Sequence, residues 1–237
     1  MIDIIYPYIN SVWGGLELRY SLRSVEKYIS GVRNVYIIGD KPDWINNVIH
    51  VPSKHNPNIH AKEKNICDKI LLAFSLPDIT DNIAVFNDDH YICRDIDLVS
   101  LPYYYDKELS LKHGVNLNSY RMSINNTVEY LMNKNLPFLN YDIHIPILYK
   151  KTEFQDIMKN ADWRKPYGYV IKSLYCNSMN IEGVKHPDLK IAWQVPFHRL
   201  RKMLEGKDFF SIGDRSIGVP MKKILELYFP DKSKFEK

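Results

Sequence analysis

The 237-residue chain lacks the features that mark several large classes of protein. Its three cysteines lie far apart without CxxC spacing, which excludes a disulfide framework and favours free thiols in a reducing compartment. No apolar run approaches the ~20 residues of a membrane span. The first residues, MIDIIYPYIN, lack the basic and long apolar regions of a signal peptide. We therefore expect a soluble, cytoplasmic protein without a membrane span.

Several catalytic motifs are also missing. The chain has no GxSxG, no Walker A loop, no GxGxxG and no HExxH, which disfavours an enzyme built on a serine or cysteine nucleophile. The net charge of +4 is mild and permits a nucleotide, a nucleic acid or an acidic glycan as partner without selecting one. Glycine is scarce, and no repeat or Gly/Ser linker divides the chain, so we expect one domain over 1–237.

Short apolar runs and amphipathic segments alternate along the first hundred residues. The spacing predicts strands over 2–6, 34–38, 47–51 and 83–86, and helices over 16–29 and 61–75. Helices are also predicted over 118–134, 151–160, 168–177 and 219–228, with an extended segment over 143–149. This pattern indicates an α/β fold with a mostly parallel central sheet flanked by helices and an elaborated, helical C-terminal half.

The fourth predicted strand ends in Asn87-Asp88-Asp89. Ligands of open α/β sheets bind at the carboxyl ends of strands, where paired carboxylates suit Mg²⁺ or Mn²⁺. Asn and Asp are equally common in solvated turns, so the pattern alone leaves both interpretations open.

Arg19 and Arg23 lie four residues apart and therefore share one side of the first predicted helix. Two arginines so placed suit bidentate contact with a phosphate. The alternative is ordinary surface charge, with Glu17 and Glu26 as partners.

Lys62, Asn65, Asp68 and Lys69 form a polar stripe on the second predicted helix. Such a stripe is more often a solvated face, but it leads toward the acidic strand end and is compatible with contact to a nucleotide.

Two further residues are candidates for acid–base chemistry. His144 lies in an extended apolar stretch, where a histidine is more often a satisfied core residue than a general base. Asp214 follows Phe209-Phe210 in a short loop and either adds a carboxylate to the site or forms a simple Gly-Asp turn.

Taken in order, these segments resemble the conserved blocks of the Stealth proteins, sugar-phosphate transferases of capsule synthesis that are related to the lysosomal-enzyme GlcNAc-1-phosphotransferase. LELRYSLRSVEKY (16–28) is similar to the family's ELRYSLRSIEKY, and FNDD (86–89) contains its NDD. HIP (144–146), SIGD (211–214) and the ending FPDKSKFE (229–236) resemble its later blocks. The family's opening VDGSD is absent here, and Gly213 stands where the fourth block has Asn.

The resemblance implies a GT-A-like fold that binds a nucleotide sugar, with a donor-binding half (1–110) and an acceptor-side half (111–237). Asp88 and Asp89 are then expected to hold Mn²⁺ or Mg²⁺ on the donor diphosphate, with Asp89 also stabilising the leaving nucleotide. The residues expected to contact the nucleotide or its phosphates are Arg19, Arg23, Lys62 and Asp68. His144 or Asp214 is expected to act as the general base on the acceptor hydroxyl.

We expect glycosyl transfer from a UDP-sugar because the first block is altered, with sugar-1-phosphate transfer in capsule synthesis as the alternative. The expected acceptor is a glycan or a hydroxymethylated base in phage DNA. A protein that binds DNA or nucleotide sugars without turnover is a third possibility, which the charged constellation disfavours.

Overall fold

The computed structural model describes residues 1–237, except for the side chain of Ile59. The strands are β1 (Ile2–Tyr8), β2 (Ile29–Ser30), β3 (Val32–Gly39), β4 (Ile49–Val51), β5 (Asn82–Val85), β6 (His90–Ile92), β7 (Ile96–Asp97), β8 (Tyr104–Tyr105), β9 (Ile147–Lys150), β10 (Val184–Lys185), β11 (Lys190–Ile191) and β12 (Phe209–Ile212). The helices are α1 (Leu16–Tyr28), α2 (Lys62–Phe74), α3 (Ser119–Asn133), α4 (Lys151–Ala161), α5 (Ile171–Ser178), α6 (Phe197–Leu204) and α7 (Val219–Tyr228).

The central sheet has the strand order β4-β3-β1-β5-β9. Strands β4, β3, β1 and β5 run parallel, and β9 joins antiparallel at the edge beside β5. The predicted α/β architecture with a mostly parallel sheet flanked by helices is therefore confirmed. The second half of the chain supplies edge strand β9, while the division at residue 110 stays a prediction.

Both faces of the sheet are covered, which explains why its strands read as continuous apolar runs rather than alternating ones. On β1, Ile4 and Tyr6 pack with Leu22 of α1. Ile5, on the opposite face, belongs to the core beneath α2 that includes Phe74.

A second, smaller sheet has the order β11-β12-β6 and lies beside α1. Two buried serines of α1 connect helix and sheet. Ser21 Oγ donates to the carbonyl of His90 at 2.7 Å, and Ser24 Oγ accepts from the N–H of Ile92 at 3.2 Å. This sheet places β11 and the end of β12 next to the turn that follows β5.

Several boundaries differ from the sequence-based expectation, and the extended segment predicted over 143–149 forms a strand only at Ile147–Lys150. Strand β1 continues through Pro7 to Tyr8. The nitrogen of Pro7 faces β5, which has already ended at that level, so the missing N–H of proline breaks no hydrogen bond of the sheet. The last bond on that side is accepted by Ile5 O from the N–H of Phe86. β4 begins at Ile49, after Asn47 (φ 48°), and α5 begins at Ile171, after Tyr167 and Gly168 (φ 67° and 65°). Because positive φ angles fit neither a strand nor a helix, both segments begin later than predicted.

The helices of the described chain do not combine the length and apolar character that crossing a bilayer requires.

Candidate active site

A cavity of about 560 Å³ opens at the carboxyl ends of β1 and β5. Because these parallel strands are neighbours, the loop after β1 and the turn after β5 lie at the same edge of the sheet. The start of α2, the segment around His144 and the ends of β11 and β12 complete the walls. The sequence-predicted site residues that line this cavity are Lys62, Asp88, Asp89, His144 and Asp214.

His90 fixes the turn that carries the acidic pair. Its Nδ1 accepts from the N–H of Asn87 at 3.2 Å, and its own N–H donates to Asn87 O at 3.2 Å. The ring is 1% exposed, and this burial lowers the pKa of His90 well below its ordinary value. The imidazole is therefore neutral, as acceptance at Nδ1 requires.

The two carboxylates of the turn differ in their surroundings. Asp89 Oδ2 accepts from Ser211 Oγ at 3.0 Å and lies 3.3 Å from Lys190 Nζ. Burial, together with the charges of Asp89 and Glu17, raises the pKa of Asp88 to about 7.

Glu17 adds a third carboxylate to the cavity wall. It is 3% exposed at the start of α1, accepts from Ser11 Oγ at 3.0 Å, and has a pKa raised by burial. The acidic side of the cavity thus concentrates negative charge that a bound cation would stabilise.

The carboxylates of this cavity could supply some, but not all, of the ligands of a Mg²⁺ or Mn²⁺ ion. Among the described side chains, no group of three or more His, Cys, Asp or Glu residues stands close enough to hold a metal alone. Asp88 and Asp89 offer two carboxylates, and Mg²⁺ commonly takes one or two from a protein while phosphates and waters supply the rest. The residues therefore fit a cation shared with a phosphorylated ligand, and cation binding itself stays a prediction.

His144 forms a dyad with Asp188. Its Nδ1 lies 2.8 Å from Asp188 Oδ2, and its backbone N–H donates to Asp188 Oδ1 at 3.0 Å. Burial is the largest single influence on the pKa of Asp188 and acts to raise it, but the hydrogen bonds and charge of His144, together with the charge of Lys172, lower that pKa overall. The carboxylate keeps the proton on Nδ1 and leaves Nε2 as the acceptor, 3.0 Å from Lys190 Nζ.

Lys172 of α5 holds the backbone on both sides of this histidine. The Nζ atom donates to Ile143 O at 2.7 Å and to Ile145 O at 2.8 Å. The side chain is buried, and burial lowers its pKa. Because both flanking carbonyls are fixed, the position of the imidazole is set by the fold.

Lys69 approaches the cavity from α2. It is 3% exposed and its Nζ donates to Tyr8 O at 2.6 Å, at the end of β1. An ammonium group has three donors, so this contact leaves capacity for a ligand. Together with Lys62 and Lys190, it gives the cavity a cationic side facing the acidic one.

Arg19 and Arg23 do not line the cavity. Arg23 forms a bidentate pair with Glu236 at 2.7 and 2.8 Å, and Arg19 stacks 4.6 Å from the ring centre of Trp44. Their shared helix face points to the C-terminal segment, and the expected phosphate contact stays a prediction. Asp68 also lies outside the lining, exposed on α2 with Arg164 as a neighbouring charge.

Three residues of the site, Asp188, Lys190 and Lys172, carry no signal in the sequence. The partners Asp188 and His144 stand 44 residues apart in a stretch without a recognised motif. Lys172 looks like an ordinary polar residue of a helix. Only the contacts in three dimensions reveal these residues.

Comparison with known proteins agrees with the motif resemblance. No protein-family model matches the chain. A capsular polysaccharide phosphotransferase of Neisseria meningitidis serogroup B is 30% identical over a segment that covers 33% of this chain and 23% of that protein. A second capsular polysaccharide phosphotransferase, cps1A of Actinobacillus pleuropneumoniae, is 24% identical over 63% of this chain and 44% of that protein.

The chain is similar to capsular polysaccharide phosphotransferases. The match spans less than half the length of either curated relative. Among solved structures, a glycosyltransferase involved in the glycosylation of the major capsid of PBCV-1 aligns over 95% of this chain and 98% of its own, with 13% identity and a TM-score of 0.46.

Proposed function

We propose that this chain is a GT-A-like transferase that moves a sugar-bearing group from a nucleotide sugar to a hydroxyl acceptor. One observation carries the proposal. A single cavity holds an acidic pair at a strand end, lysines beside it, and His144, which pairs with Asp188 and lies at hydrogen-bonding distance from one of those lysines. The names of the two curated relatives, both transferases of phosphorylated groups, support the same class.

On the donor side, Asp88 and Asp89 would hold Mn²⁺ or Mg²⁺, which neutralises charge on a diphosphate when bound. Lys62, Lys69 and Lys190 line the same cavity and replace the arginines as the cations available to phosphate oxygens. Lys69 and Lys190 are positioned before the ligand arrives, by Tyr8 O and Asp89 respectively, as electrostatic stabilisation of a leaving nucleotide requires.

On the acceptor side, His144 Nε2 takes the proton of the attacking hydroxyl once the ammonium of Lys190 has turned from it to a donor phosphate, and Asp188 stabilises the resulting imidazolium. Lys190 bridges the two sides, since its Nζ lies 3.0 Å from His144 Nε2 and 3.3 Å from Asp89 Oδ2. Its charge is therefore placed between the base and the leaving group. Asp214 lines the same cavity and is available to orient the acceptor.

Two chemistries use this arrangement. In sugar-1-phosphate transfer the hydroxyl attacks the phosphorus nearest the sugar and a nucleoside monophosphate leaves. In glycosyl transfer it attacks the anomeric carbon and a nucleoside diphosphate leaves. The names of the curated relatives favour the first, and the replacement of the opening VDGSD block favours the second.

The test is a donor screen. Purified protein is incubated with a panel of nucleotide sugars, including UDP-sugars, with and without Mn²⁺, and the released nucleotide is identified by mass. A nucleoside monophosphate supports sugar-phosphate transfer, and a nucleoside diphosphate supports glycosyl transfer. If no donor is consumed, even with glycan and hydroxymethylated DNA added as acceptors, the transferase proposal fails in favour of binding without turnover.

Asp89→Asn supplies the matched variant for this screen. We expect nucleotide release to fall by about a hundredfold or more, because a cation contact worth several kcal/mol is lost. Asp156→Asn makes the same chemical change on the exposed face of α4 and should leave release unchanged.

A further inference from the structure

A second cavity of about 280 Å³ adjoins the first. It lies beside α2, α3 and α5 and is floored by Val85 of β5 and Tyr149 of β9. The residues that line both cavities are Lys62, Ile66, Asn87 and His144. The proposed base is therefore accessible from two sides.

The lining of this second cavity combines carboxylates with apolar surface. Tyr120 Oη donates to Asp142 Oδ2 at 2.9 Å, and Glu63 of α2 supplies a second carboxylate. The apolar part comes from Ile70, Val85, Tyr149 and Ile171. Carboxylate oxygens accept from hydroxyl groups, and apolar walls cover the C–H faces of a ring.

We propose that this second cavity binds one sugar unit of a carbohydrate acceptor and presents its hydroxyl to His144. The inference rests on the proposed transferase function and names its acceptor class. The volume lies just below the ~300–1,000 Å³ typical of small-ligand sites, which suits one ring.

The charges in the second cavity favour a carbohydrate over nucleic acid. A phosphodiester inside this cavity would meet Glu63 and Asp142, while exposed Lys62 stands at the wall shared with the first cavity. Burial together with the charge of Asp142 already raises the pKa of Glu63 to about 7. The buried ammonium of Lys172 is directed to the carbonyls of Ile143 and Ile145. Neutral hydroxyl donors stabilise such carboxylates, whereas a further anion repels them.

Binding can be tested without turnover. Saturation-transfer NMR with a panel of methyl glycosides measures their affinity for the full chain and for two variants. Tyr120→Phe removes one hydroxyl and should weaken binding about fivefold. Asp142→Asn removes a charged acceptor and should weaken it about tenfold or more. Tyr130→Phe makes the matched change on the same helix, where Tyr130 packs against Tyr169, and should have no effect.

The outcomes separate this inference from the proposed function. Glycoside binding that depends on Tyr120 and Asp142 supports the acceptor site even if no nucleotide sugar is consumed. Circular dichroism checks that both variants fold. If none of the glycosides binds, if the variants bind them like the wild type, or if only hydroxymethylated DNA binds, the carbohydrate site is refuted.

Discussion

At the scale of single residues, the site depends on how His144 is held. Asp188 contacts both its ring and its backbone N–H, at 2.8 and 3.0 Å. Lys172 fixes the carbonyls before and after it. A histidine fixed in this way has one tautomer and one orientation, which is what a general base needs and a space-filling core histidine does not.

This arrangement predicts separate effects for the two members of the dyad. His144→Gln should lower kcat by about 10²–10⁴-fold, the usual contribution of general acid–base catalysis, with little change in donor affinity. Asp188→Asn keeps the imidazole but no longer fixes its proton on Nδ1. The value of kcat should therefore fall less than in His144→Gln, and the pH–rate profile should shift. Steady-state kinetics across pH would measure both. Equal activity of His144→Gln and wild type would exclude His144 as the base.

Asp88 predicts a pH dependence of stability. Its folded pKa of about 7 exceeds the ordinary 3.8, so the folded protein binds more protons in this window. Without a divalent cation, the contribution of Asp88 to stability is therefore fully present below pH ~4 and is lost as pH rises through ~7. Asp88→Asn should melt above wild type at pH 7.5, by about 2–4 °C for each kcal/mol relieved, and match it near pH 4.

The same carboxylate should respond to Mn²⁺. A cation that binds only the folded state raises Tm by mass action, and Asp88→Asn should lose most of that rise. Asp156→Asn removes a carboxylate from the surface of α4 and serves as the control. This variant should keep the full rise in Tm with Mn²⁺. An undiminished Mn²⁺ response in Asp88→Asn would contradict the assignment of Asp88 as a metal ligand.

At the scale of elements, the cavity forms because the neighbouring strands β1, β3 and β5 end at the same edge of the sheet. Lys69 of α2 contacts the backbone at this edge. Gly39, the last residue of β3, has φ 128°, and an added Cβ would lie 2.0 Å from Tyr8 O and 2.8 Å from Lys69 Nζ. The glycine therefore permits the contact between Lys69 and the end of β1.

Substitution at this glycine should damage both stability and the site. Gly39→Ala should destabilise the fold by about 3 kcal/mol or more, because the clash is with backbone as well as with Lys69. Gly206→Ala is the control: it also has positive φ (66°), but a Cβ there meets no described atom within 4 Å. Its cost should stay near 1 kcal/mol, measured by urea unfolding. Similar losses in the two variants would show that backbone strain alone explains the effect.

The elements were more predictable from sequence than the site. The periodicity of residues 16–28 and the apolar run before Asn87 each specify a local structure, and α1 and β5 lie where those patterns place them. The acidic pair was likewise visible, since a strand end in an α/β sheet is a local signal. Asp188 and Lys190 reach His144 only through tertiary contacts, and no local pattern encodes such contacts.

For Arg19 and Arg23, the sequence indicates the local structure but not the tertiary partner. Their spacing correctly indicates that they share one helix face, but it does not indicate what that face meets. In the structure it meets Glu236 near the C-terminus. A bidentate pairing with a carboxylate and one with a phosphate use the same guanidinium geometry, so sequence could not separate them.

At the scale of the whole molecule, the pair of Arg23 and Glu236 joins α1 to the last residues of the described chain. Glu236 is held by Arg23, and it also accepts from the N–H of Ser233 at 3.0 Å. The following residue, Lys237, donates its N–H to Trp44 O at 2.9 Å, and Asn46 donates to Phe235 O at 2.8 Å. The last residues therefore pack against α1 and the loop after β3, away from the cavity.

The anchoring role predicts that Arg23→Gln lowers stability without affecting the donor. Losing a charged, bidentate contact should cost about 2 kcal/mol and lower Tm by about 4–8 °C. Glu236→Gln should cost a similar amount, and the double variant should lose less than the sum, because both changes remove one interaction. The donor KM should stay at the wild-type value in Arg23→Gln. A large rise in KM with unchanged Tm would instead place Arg23 on a phosphate and restore the role that its sequence motif suggested.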